Sequence, residues 1–321
     1  MKVYYTVHLN EIASEIFRKN GFEIMVASDT KKDVYVRELA AFQPDAIMCR
    51  TEPVTAEMMD ACRNLKVIGK QGAGLDNIDM DHAQAKNVQV VFSPAGNANA
   101  VAEHGLMLML LCAKRFNYVD KRFRDGNFLV RMGMEHTIEL SGKTLGVIGC
   151  GRISSLLMKK CKYGMGMNVI GYDPYLTQEQ VGDLCTLQAT AKDVWSQADF
   201  VSVHLPTVDS TRYSIGREQF SWMKPTASFI NVARGSLIRE DEMIACLKDG
   251  TLFQAGLDVF DSEPIKESSR ELFALDNVIM TPHMAATTEQ SVYNCCTSVA
   301  NDIVAVCRGE APKCPANQPK F

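Results

Sequence analysis

Three side chains in the C-terminal third of the sequence have the types that proton transfer on a carboxylate-bearing substrate requires. Arg234, Glu263 and His283 each lie shortly after a short apolar stretch. A planar, permanently charged guanidinium can hold a carboxylate, and an imidazole can exchange a proton near neutral pH. A carboxylate behind the imidazole fixes its tautomer. Each residue alone has an ordinary structural explanation, but the set suits hydride transfer between a 2-oxo acid and a 2-hydroxy acid.

A glycine turn supplies a second candidate site. Gly149-Cys-Gly151-Arg-Ile-Ser154 follows the apolar run Thr144–Ile148 and precedes a helical stretch. Gly149 permits a tight turn, Gly151 lets the backbone approach a pyrophosphate, and the helix that follows directs free N–H groups at the phosphates. Ser154 stands where glycine or alanine is usual, and we expect it to alter cofactor affinity only slightly. The pattern predicts a dinucleotide-binding turn.

The choice between NAD and NADP depends on Asp173, which ends the strand predicted after the glycine turn. A carboxylate at this position accepts hydrogen bonds from the adenosine ribose hydroxyls and repels the 2′-phosphate of NADP. No arginine lies beside it in the segment Tyr172–Tyr175. The sequence therefore predicts NAD as the cofactor.

Short runs rich in Val, Ile and Phe alternate with helical-length stretches along the chain, which is typical of parallel α/β sheets. Five strands are predicted in the first hundred residues: Lys2–Val7, Glu23–Val26, Ala46–Cys49, Val67–Gly69 and Val88–Phe92. Six follow residue 140: Thr144–Ile148, Asn168–Tyr172, Phe200–Val203, Ser228–Val232, Gln254–Val259 and Val278–Met280. The second set begins with the glycine turn, so it predicts the nucleotide-binding sheet and leaves the first set for the substrate.

Long helices are predicted at about 99–116 and 288–307, and Pro312–Phe321 is predicted as an extended strap or frayed end. A polar stretch up to Leu140 is predicted to follow the first of these helices.

Composition excludes several classes of function. A net charge of −4 with 22% charged residues does not favour nucleic acid, and the longest apolar run, Gly105–Ala113, is too short for a membrane helix. No signal peptide is recognisable. The eleven cysteines include no Cys-x-x-Cys pair. They therefore predict no metal site and buried, reduced thiols in the cytoplasm.

Five segments resemble the D-isomer-specific 2-hydroxyacid dehydrogenase family: Gly72–Asp79, Leu140–Ile153, Asn231–Gly235, Leu257–Phe260 with Glu263-Pro264, and Thr281–His283. The resemblance implies two doubly wound parallel-sheet α/β domains and usually a homodimer. It predicts a flavodoxin-like substrate domain over residues 1–100 plus 288–321 and a Rossmann NAD-binding domain over residues 101–287.

The resemblance also implies individual roles. Arg234 binds substrate, His283 is the acid/base and Glu263 is its partner. The positions matching cofactor contacts are Gly149, Gly151, Arg152, Ile153, Asp173, Leu205, Pro206, Val232, Ala233, Val101 and Asp258, the last at the nicotinamide amide. The substrate carboxylate is expected at the backbone of Ala73, Gly74 and Leu75, with Arg50 assisting.

The implied reaction is the interconversion of a 2-oxo acid and an (R)-2-hydroxy acid, with a phosphoglycerate, hydroxypyruvate or glyoxylate type of substrate favoured and a branched oxo acid also open. Two alternatives remain. Some members of this fold sense NADH as corepressors or scaffolds and keep the whole set of catalytic residues. A formate dehydrogenase is disfavoured by Glu263, because that subfamily has a glutamine there.

Overall fold

The chain folds into two α/β units, which confirms the fold class predicted from the alternation of strands and helices. The computed structural model describes residues 1–319, so Lys320 and Phe321 of the predicted tail lie outside the described residues. One unit comprises Met1–Ala98 and the chain from Ala286 onward, and the other comprises Asn99–Ala285. Each unit has its own sheet.

The strands of the first unit are β1 (Lys2–Tyr5), β2 (Glu23–Val26), β3 (Ala46–Cys49), β4 (Val67–Lys70) and β5 (Gln89–Phe92). The strands of the second unit are β6 (Thr144–Ile148), β7 (Asn168–Tyr172), β8 (Thr186–Leu187), β9 (Phe200–Val203), β10 (Ser228–Asn231), β11 (Gln254–Leu257) and β12 (Val278–Met280).

The helices are α1 (Glu11–Lys19), α2 (Lys32–Phe42), α3 (Ala56–Asp60), α4 (Met80–Ala85), α5 (Ala98–Ala113), α6 (Phe116–Arg124), α7 (Arg152–Lys159), α8 (Gln178–Val181), α9 (Ala191–Gln197), α10 (Arg217–Ser221), α11 (Glu240–Asp249) and α12 (Glu289–Cys307). Short 3₁₀ segments cover Phe128–Gly133, Gly235–Leu237 and Glu267–Ala274, and a π turn covers Lys160–Gly164. Within residues 1–319, no helix has the length and hydropathy that crossing a bilayer requires.

The sheet of the first unit has the parallel order β2-β1-β3-β4-β5. Strands β3 and β4 are buried along their whole length, which explains the continuous apolar sequence of β3 and of β4 up to Lys70. Helix α12 lies close against β4, because a Cβ on Gly69 would come within 2.4 Å of Cδ1 of Ile303. The C-terminal helix is therefore part of this unit.

The C-terminal tail pairs with the edge strand β5, as the predicted strap requires. The Ala316 N–H donates to the Val90 carbonyl at 2.8 Å. The buried carboxylate of Asp302 in α12 accepts hydrogen bonds from the N–H groups of Lys313 and Cys314 at 2.9 and 3.0 Å. These bonds satisfy a charge that would otherwise be costly to bury.

The sheet of the second unit has the parallel order β12-β11-β10-β9-β6-β7-β8. Strand β6, which leads into the glycine turn, lies between β9 and β7. The strand order reverses there, and this is where open α/β sheets bind ligands. Strand β8 was missed from sequence because its two residues are too few to show a period.

The predicted polar stretch after residue 116 is wrong in part, because residues 116–124 form α6. Polar side chains stabilise this helix. Arg124 pairs with Asp120 one turn away at 2.7 Å, and Arg122 pairs with Asp276 at 2.8 Å. The second contact comes from a residue distant in sequence. The apolar residues Phe116, Val119 and Phe123 lie at helical spacing, and the sequence prediction overlooked this signal.

Candidate active site in the second unit

The side chains predicted to do chemistry follow three neighbouring strands. In the parallel register, Asn231 pairs with Leu257 and Leu257 pairs with Met280, so β10, β11 and β12 end at the same edge. Arg234 lies three residues beyond β10, and His283 lies three residues beyond β12. The sheet therefore directs these segments to one edge of the second unit.

The structure brings His283 and Glu263 together. Nδ1 of His283 lies 2.5 Å from Oε2 of Glu263, and the other carboxylate oxygen accepts the Phe260 N–H at 3.2 Å. Both side chains are 36% exposed, so the pair is accessible. An ionised glutamate keeps the imidazole proton on Nδ1 and leaves Nε2 as the atom that exchanges a proton with a substrate.

The backbone at His283 is in the left-handed region, with φ of 49°. A non-glycine residue there costs about 1–3 kcal/mol unless its surroundings hold it. Asp258 provides that support. Its carbonyl accepts the His283 N–H at 2.8 Å, and its carboxylate accepts the N–H groups of Met284 and Ala285, both at 2.9 Å. The direction of the His283 side chain thus depends on Asp258.

Asp258 is fully buried and has further partners at the end of its strand. Thr281 Oγ1 donates to it at 2.6 Å, and His104 Nε2 lies 2.8 Å from Thr281 Oγ1 and 3.3 Å from the carboxylate. Burial alone would raise the pKa of Asp258, but these hydrogen bonds outweigh it and lower the pKa. Its contact with a nicotinamide amide stays a prediction, and the structure adds an anchoring role.

His104 was not predicted from the sequence. It is a buried polar residue on the apolar helix α5, and such a residue needs a hydrogen-bond partner inside the fold. A histidine within a largely apolar helix was the sequence signal that could have pointed to this residue.

Arg234 lies in a turn that local hydrogen bonds define. Asn231 Oδ1 accepts the Ala233 N–H at 3.0 Å, and Asn231 Nδ2 donates to the Arg234 carbonyl at 2.9 Å. The guanidinium donates to the Ala233 carbonyl at 2.7 Å. Gly235 follows with no space for a side chain, because a Cβ there would come within 1.9 Å of the Phe260 carbonyl carbon. The arginine turn thus lies directly against the backbone that leads to Glu263.

The glycine turn has the geometry that a dinucleotide needs. Gly149 has φ of 90°, and a Cβ on it would lie 2.8 Å from the His204 carbonyl oxygen, so glycine is required. Gly151 caps α7 without a side-chain cap, and a Cβ on it would meet no atom within 4 Å. The open backbone at this helix N-terminus fits a pyrophosphate. Buried Ser154 fits its glycine position by donating to the Gly151 carbonyl at 2.9 Å.

Asp173 lies beside this turn. One carboxylate oxygen accepts the Cys150 N–H and the other accepts the Tyr175 N–H, both at 2.9 Å. A carboxylate oxygen has two acceptor sites, so each oxygen can accept a further hydrogen bond. The carboxylate is thus held next to the turn and fits a ribose diol.

The other residues predicted to contact the cofactor lie near the same sheet edge or on α5. Leu205 and Pro206 follow β9, and Val232 and Ala233 follow β10, whereas Val101 is buried within α5. Arg152 and Ile153 begin α7. Their contacts with a cofactor stay predictions.

The residues predicted to bind substrate lie in the first unit. Arg50 follows β3, and Ala73, Gly74 and Leu75 follow β4; the two strands end together, with Cys49 paired to Lys70. The exposed Arg50 guanidinium donates to Thr287 Oγ1 at 3.2 Å, and its carbonyl accepts from Lys70. The structure thus brings these four residues to one edge of their own sheet.

His204, which was also not predicted from the sequence, is expected to make the stability of the second unit depend on pH. Burial lowers the pKa of His204 from 6.5 to about 4, and its Nε2 lies 2.9 Å from Ser202 Oγ. Between pH 6.5 and 4, His204 therefore binds a proton in the unfolded chain but stays neutral in the folded chain. His204 therefore has no effect on the free energy of unfolding above pH 6.5 and lowers it by up to about 3 kcal/mol as the pH drops to 4.

We expect His204→Gln to remove most of this acid sensitivity, which urea unfolding at pH 7 and pH 5 measures. His136→Gln, at an exposed histidine of the same unit, is the control. An identical loss of stability in parent and His204→Gln between the two pH values would contradict the assignment.

The second unit thus has a doubly wound parallel sheet, a glycine turn on its central strand, and a histidine–glutamate pair beside an arginine turn. These features define the class of dinucleotide-binding dehydrogenase domains. Residues 106–285 match the family model described as "D-isomer specific 2-hydroxyacid dehydrogenase, NAD binding domain". The chain belongs to the D-isomer specific 2-hydroxyacid dehydrogenase family.

Characterised relatives agree with this assignment. The chain is 38% identical to D-3-phosphoglycerate dehydrogenase of Methanocaldococcus jannaschii over 100% of its own length and 60% of that protein. It is 34% identical to hydroxypyruvate reductase of Thermotoga maritima over 89% of its own length and 93% of that protein. The chain therefore spans about 60% of the phosphoglycerate dehydrogenase and nearly all of the reductase.

A solved structure shows the same fold. D-lactate dehydrogenase of Aquifex aeolicus, in complex with NAD and lactic acid, aligns with this chain with a TM-score of 0.87 at 26% identity. The alignment covers 100% of both chains.

Proposed function

We propose that this protein is an NAD-dependent oxidoreductase that interconverts a 2-oxo acid and the (R)-2-hydroxy acid. The observation that carries the proposal is the pairing of His283 with Glu263 at 2.5 Å. This pair lies at the same sheet edge as the glycine turn. When bound, NADH supplies the hydride that reduces the carbonyl carbon. His283 donates the proton to the carbonyl oxygen from Nε2, and Glu263 stabilises the imidazolium that forms in the opposite direction.

Other residues are proposed to bind the substrate carboxylate or to hold the backbone around His283. Arg234 is permanently cationic and planar, so it suits a carboxylate next to a carbonyl. The backbone of Ala73, Gly74 and Leu75, with Arg50, is proposed to receive a substrate carboxylate. Asp258 contributes by holding the backbone of His283, Met284 and Ala285.

NAD is proposed to occupy the glycine turn, with Gly149, Gly151 and the start of α7 at the pyrophosphate and Asp173 at the adenosine ribose. The fit rests on the uncapped helix N-terminus and on the free acceptor sites of the Asp173 carboxylate.

We expect Asp173→Ala to weaken the preference for NADH over NADPH by about tenfold or more, because the variant loses both the ribose acceptor and the charge that repels a 2′-phosphate. The ratio of kcat/KM for the two cofactors measures this. Asp125→Ala, which removes an exposed carboxylate at the end of α6, is the matched control. An unchanged ratio in Asp173→Ala would refute the ribose assignment.

The substrate is proposed to be of the phosphoglycerate, hydroxypyruvate or glyoxylate type. The relatives reported above act on acids that share a 2-oxo or 2-hydroxy carboxylate head group. The chain is 34% identical to the Thermotoga maritima hydroxypyruvate reductase, which makes hydroxypyruvate one of the first substrates to test.

A panel of 3-phosphohydroxypyruvate, hydroxypyruvate, glyoxylate, pyruvate and a branched 2-oxo acid, followed by NADH absorbance, tests the function. Turnover of at least one member is the expected result, and chiral chromatography should show an (R) product for every member except glyoxylate, whose product glycolate is achiral. Tight NADH binding without turnover on any member would overturn the proposal and favour an NADH sensor.

A homodimer and a cytoplasmic location are proposed from the family resemblance and from the eleven cysteines, which the structure leaves unpaired in the described residues. Light scattering coupled to gel filtration gives the mass of the assembly, and a monomer at micromolar concentration would contradict the dimer.

A further inference from the structure

Two buried thiols meet beside the glycine turn. Cys150 is the middle residue of Gly149-Cys150-Gly151, and Cys185 directly precedes β8. Both are free, and their exposed fractions are 3% and 4%. Gly171 of β7 lies beneath them, and a Cβ there would come within 2.8 Å of the Cys150 sulfur and 3.0 Å of the Cys185 sulfur. Both sulfurs therefore occupy the space above one glycine.

Because both sulfurs lie within 3.0 Å of that one position, the two thiols are close neighbours. Interaction with Cys150 and with the nearby Lys162 ammonium lowers the pKa of Cys185, whereas interaction with Cys185 and burial raise the pKa of Cys150. Burial raises the thiol pKa of other described cysteines of this unit, such as Cys112 and Cys161. Cys185 is therefore the thiol of the pair that more readily becomes the nucleophilic thiolate.

We propose that Cys150 and Cys185 are a redox pair that a peroxide converts to a disulfide, and that this disulfide weakens binding of the dinucleotide. The thiolate of Cys185 attacks one peroxide oxygen, the O–O bond breaks, and hydroxide leaves to give a sulfenic acid. Cys150 sulfur then attacks the Cys185 sulfur, the S–O bond breaks, and the thiol proton leaves with the hydroxyl group as water. The two thiols are oxidised by two electrons, and the peroxide is reduced.

The consequence for cofactor binding follows from the position of Cys150. Its N–H donates to Asp173 at 2.9 Å, so the same residue joins the pyrophosphate turn to the carboxylate proposed for the ribose. An S–S bond is about 2.0 Å long, much shorter than a contact between two unbonded sulfurs. Closing it therefore draws Cys150 toward Cys185 and displaces the turn. This part rests on the proposed function, and we expect a loss of about tenfold or more in NADH affinity.

The pair is tested on the full-length protein, reduced and then treated with hydrogen peroxide. Remaining thiols are alkylated, and peptides are mapped by mass spectrometry without reduction. The expected product is one cross-linked peptide that joins Cys150 to Cys185 and disappears after dithiothreitol. Cys185→Ser should form no such peptide, and Cys246→Ser, at another buried cysteine of this unit, should form it normally. Circular dichroism verifies that both variants fold.

NADH affinity of the reduced and oxidised protein, from fluorescence titration, tests the effect on the site. The expected weakening on oxidation should be absent in Cys185→Ser. A peptide map without the cross-link, or with Cys150 oxidised only to sulfinic acid, overturns the redox pair. A cross-link with unchanged NADH affinity overturns the control of binding. Reduced protein that binds no NADH contradicts the proposed function instead, while the peptide map still decides whether the pair forms.

Discussion

His283→Ala is expected to lower kcat by about 10²–10⁴-fold, because it removes the group proposed to donate the proton as the carbonyl is reduced. NADH binding should change little, since the glycine turn and Asp173 are formed by other strands of the sheet. Steady-state kinetics with the best substrate of the panel, combined with NADH fluorescence titration, separates the two effects.

The rate of turnover should depend on the pairing of His283 with Glu263 as well as on the imidazole itself. Glu263→Gln keeps a hydrogen-bond acceptor 2.5 Å from Nδ1 but removes the charge. We therefore expect a smaller loss of kcat than in His283→Ala. His82→Ala, a histidine paired with Asp60 in the first unit, is the control. Turnover of His283→Ala within twofold of the parent would show that another group donates the proton.

Gly235→Ala is expected to destabilise the second unit by about 3 kcal/mol or more. The added Cβ would come within 1.9 Å of the Phe260 carbonyl carbon and 2.4 Å of the Asp261 nitrogen, and backbone atoms cannot move aside as a side chain can. The displacement would act on both functional loops, because one side of the contact bears Arg234 and the other leads to Glu263. Activity should therefore fall even in the fraction that stays folded.

Urea unfolding followed by tryptophan fluorescence measures this effect, since both Trp195 and Trp222 belong to the second unit. Gly164→Ala is the matched control, because a Cβ there meets no atom within 4 Å. The control should change the free energy of unfolding by less than about 1 kcal/mol. Equal stability of Gly235→Ala and the parent would mean that the Arg234 turn does not lie against Phe260 as described.

Much of the fold was predictable because its strands are short, buried and apolar. Strands such as β3, β6 and β9 have the predicted bounds, since a polar or turn residue stands at each end of the run. The two-residue β8 was not predictable, because it is too short to show a period. Helix α6 was missed although its apolar residues lie at helical spacing, because its many charged residues were taken as typical of a polar connection.

The functional motifs can be identified without a structure, because each consists of neighbouring residues at the end of one strand. The glycine turn, the arginine turn around Arg234 and the identities of Glu263 and His283 belong to this group. Their chemistry follows from residue type and local spacing, which the chain order contains.

The contacts that hold these motifs in place, in contrast, depend on the folded chain. The left-handed backbone at His283 depends on the buried carboxylate of Asp258, and the contact of Gly235 with Phe260 depends on β10 pairing with β11. The meeting of Cys150 and Cys185 depends on β6, β7 and β8 lying side by side. Parallel strands align residues that are separated by a helix in the chain, and no spacing along the sequence reveals which of them will touch.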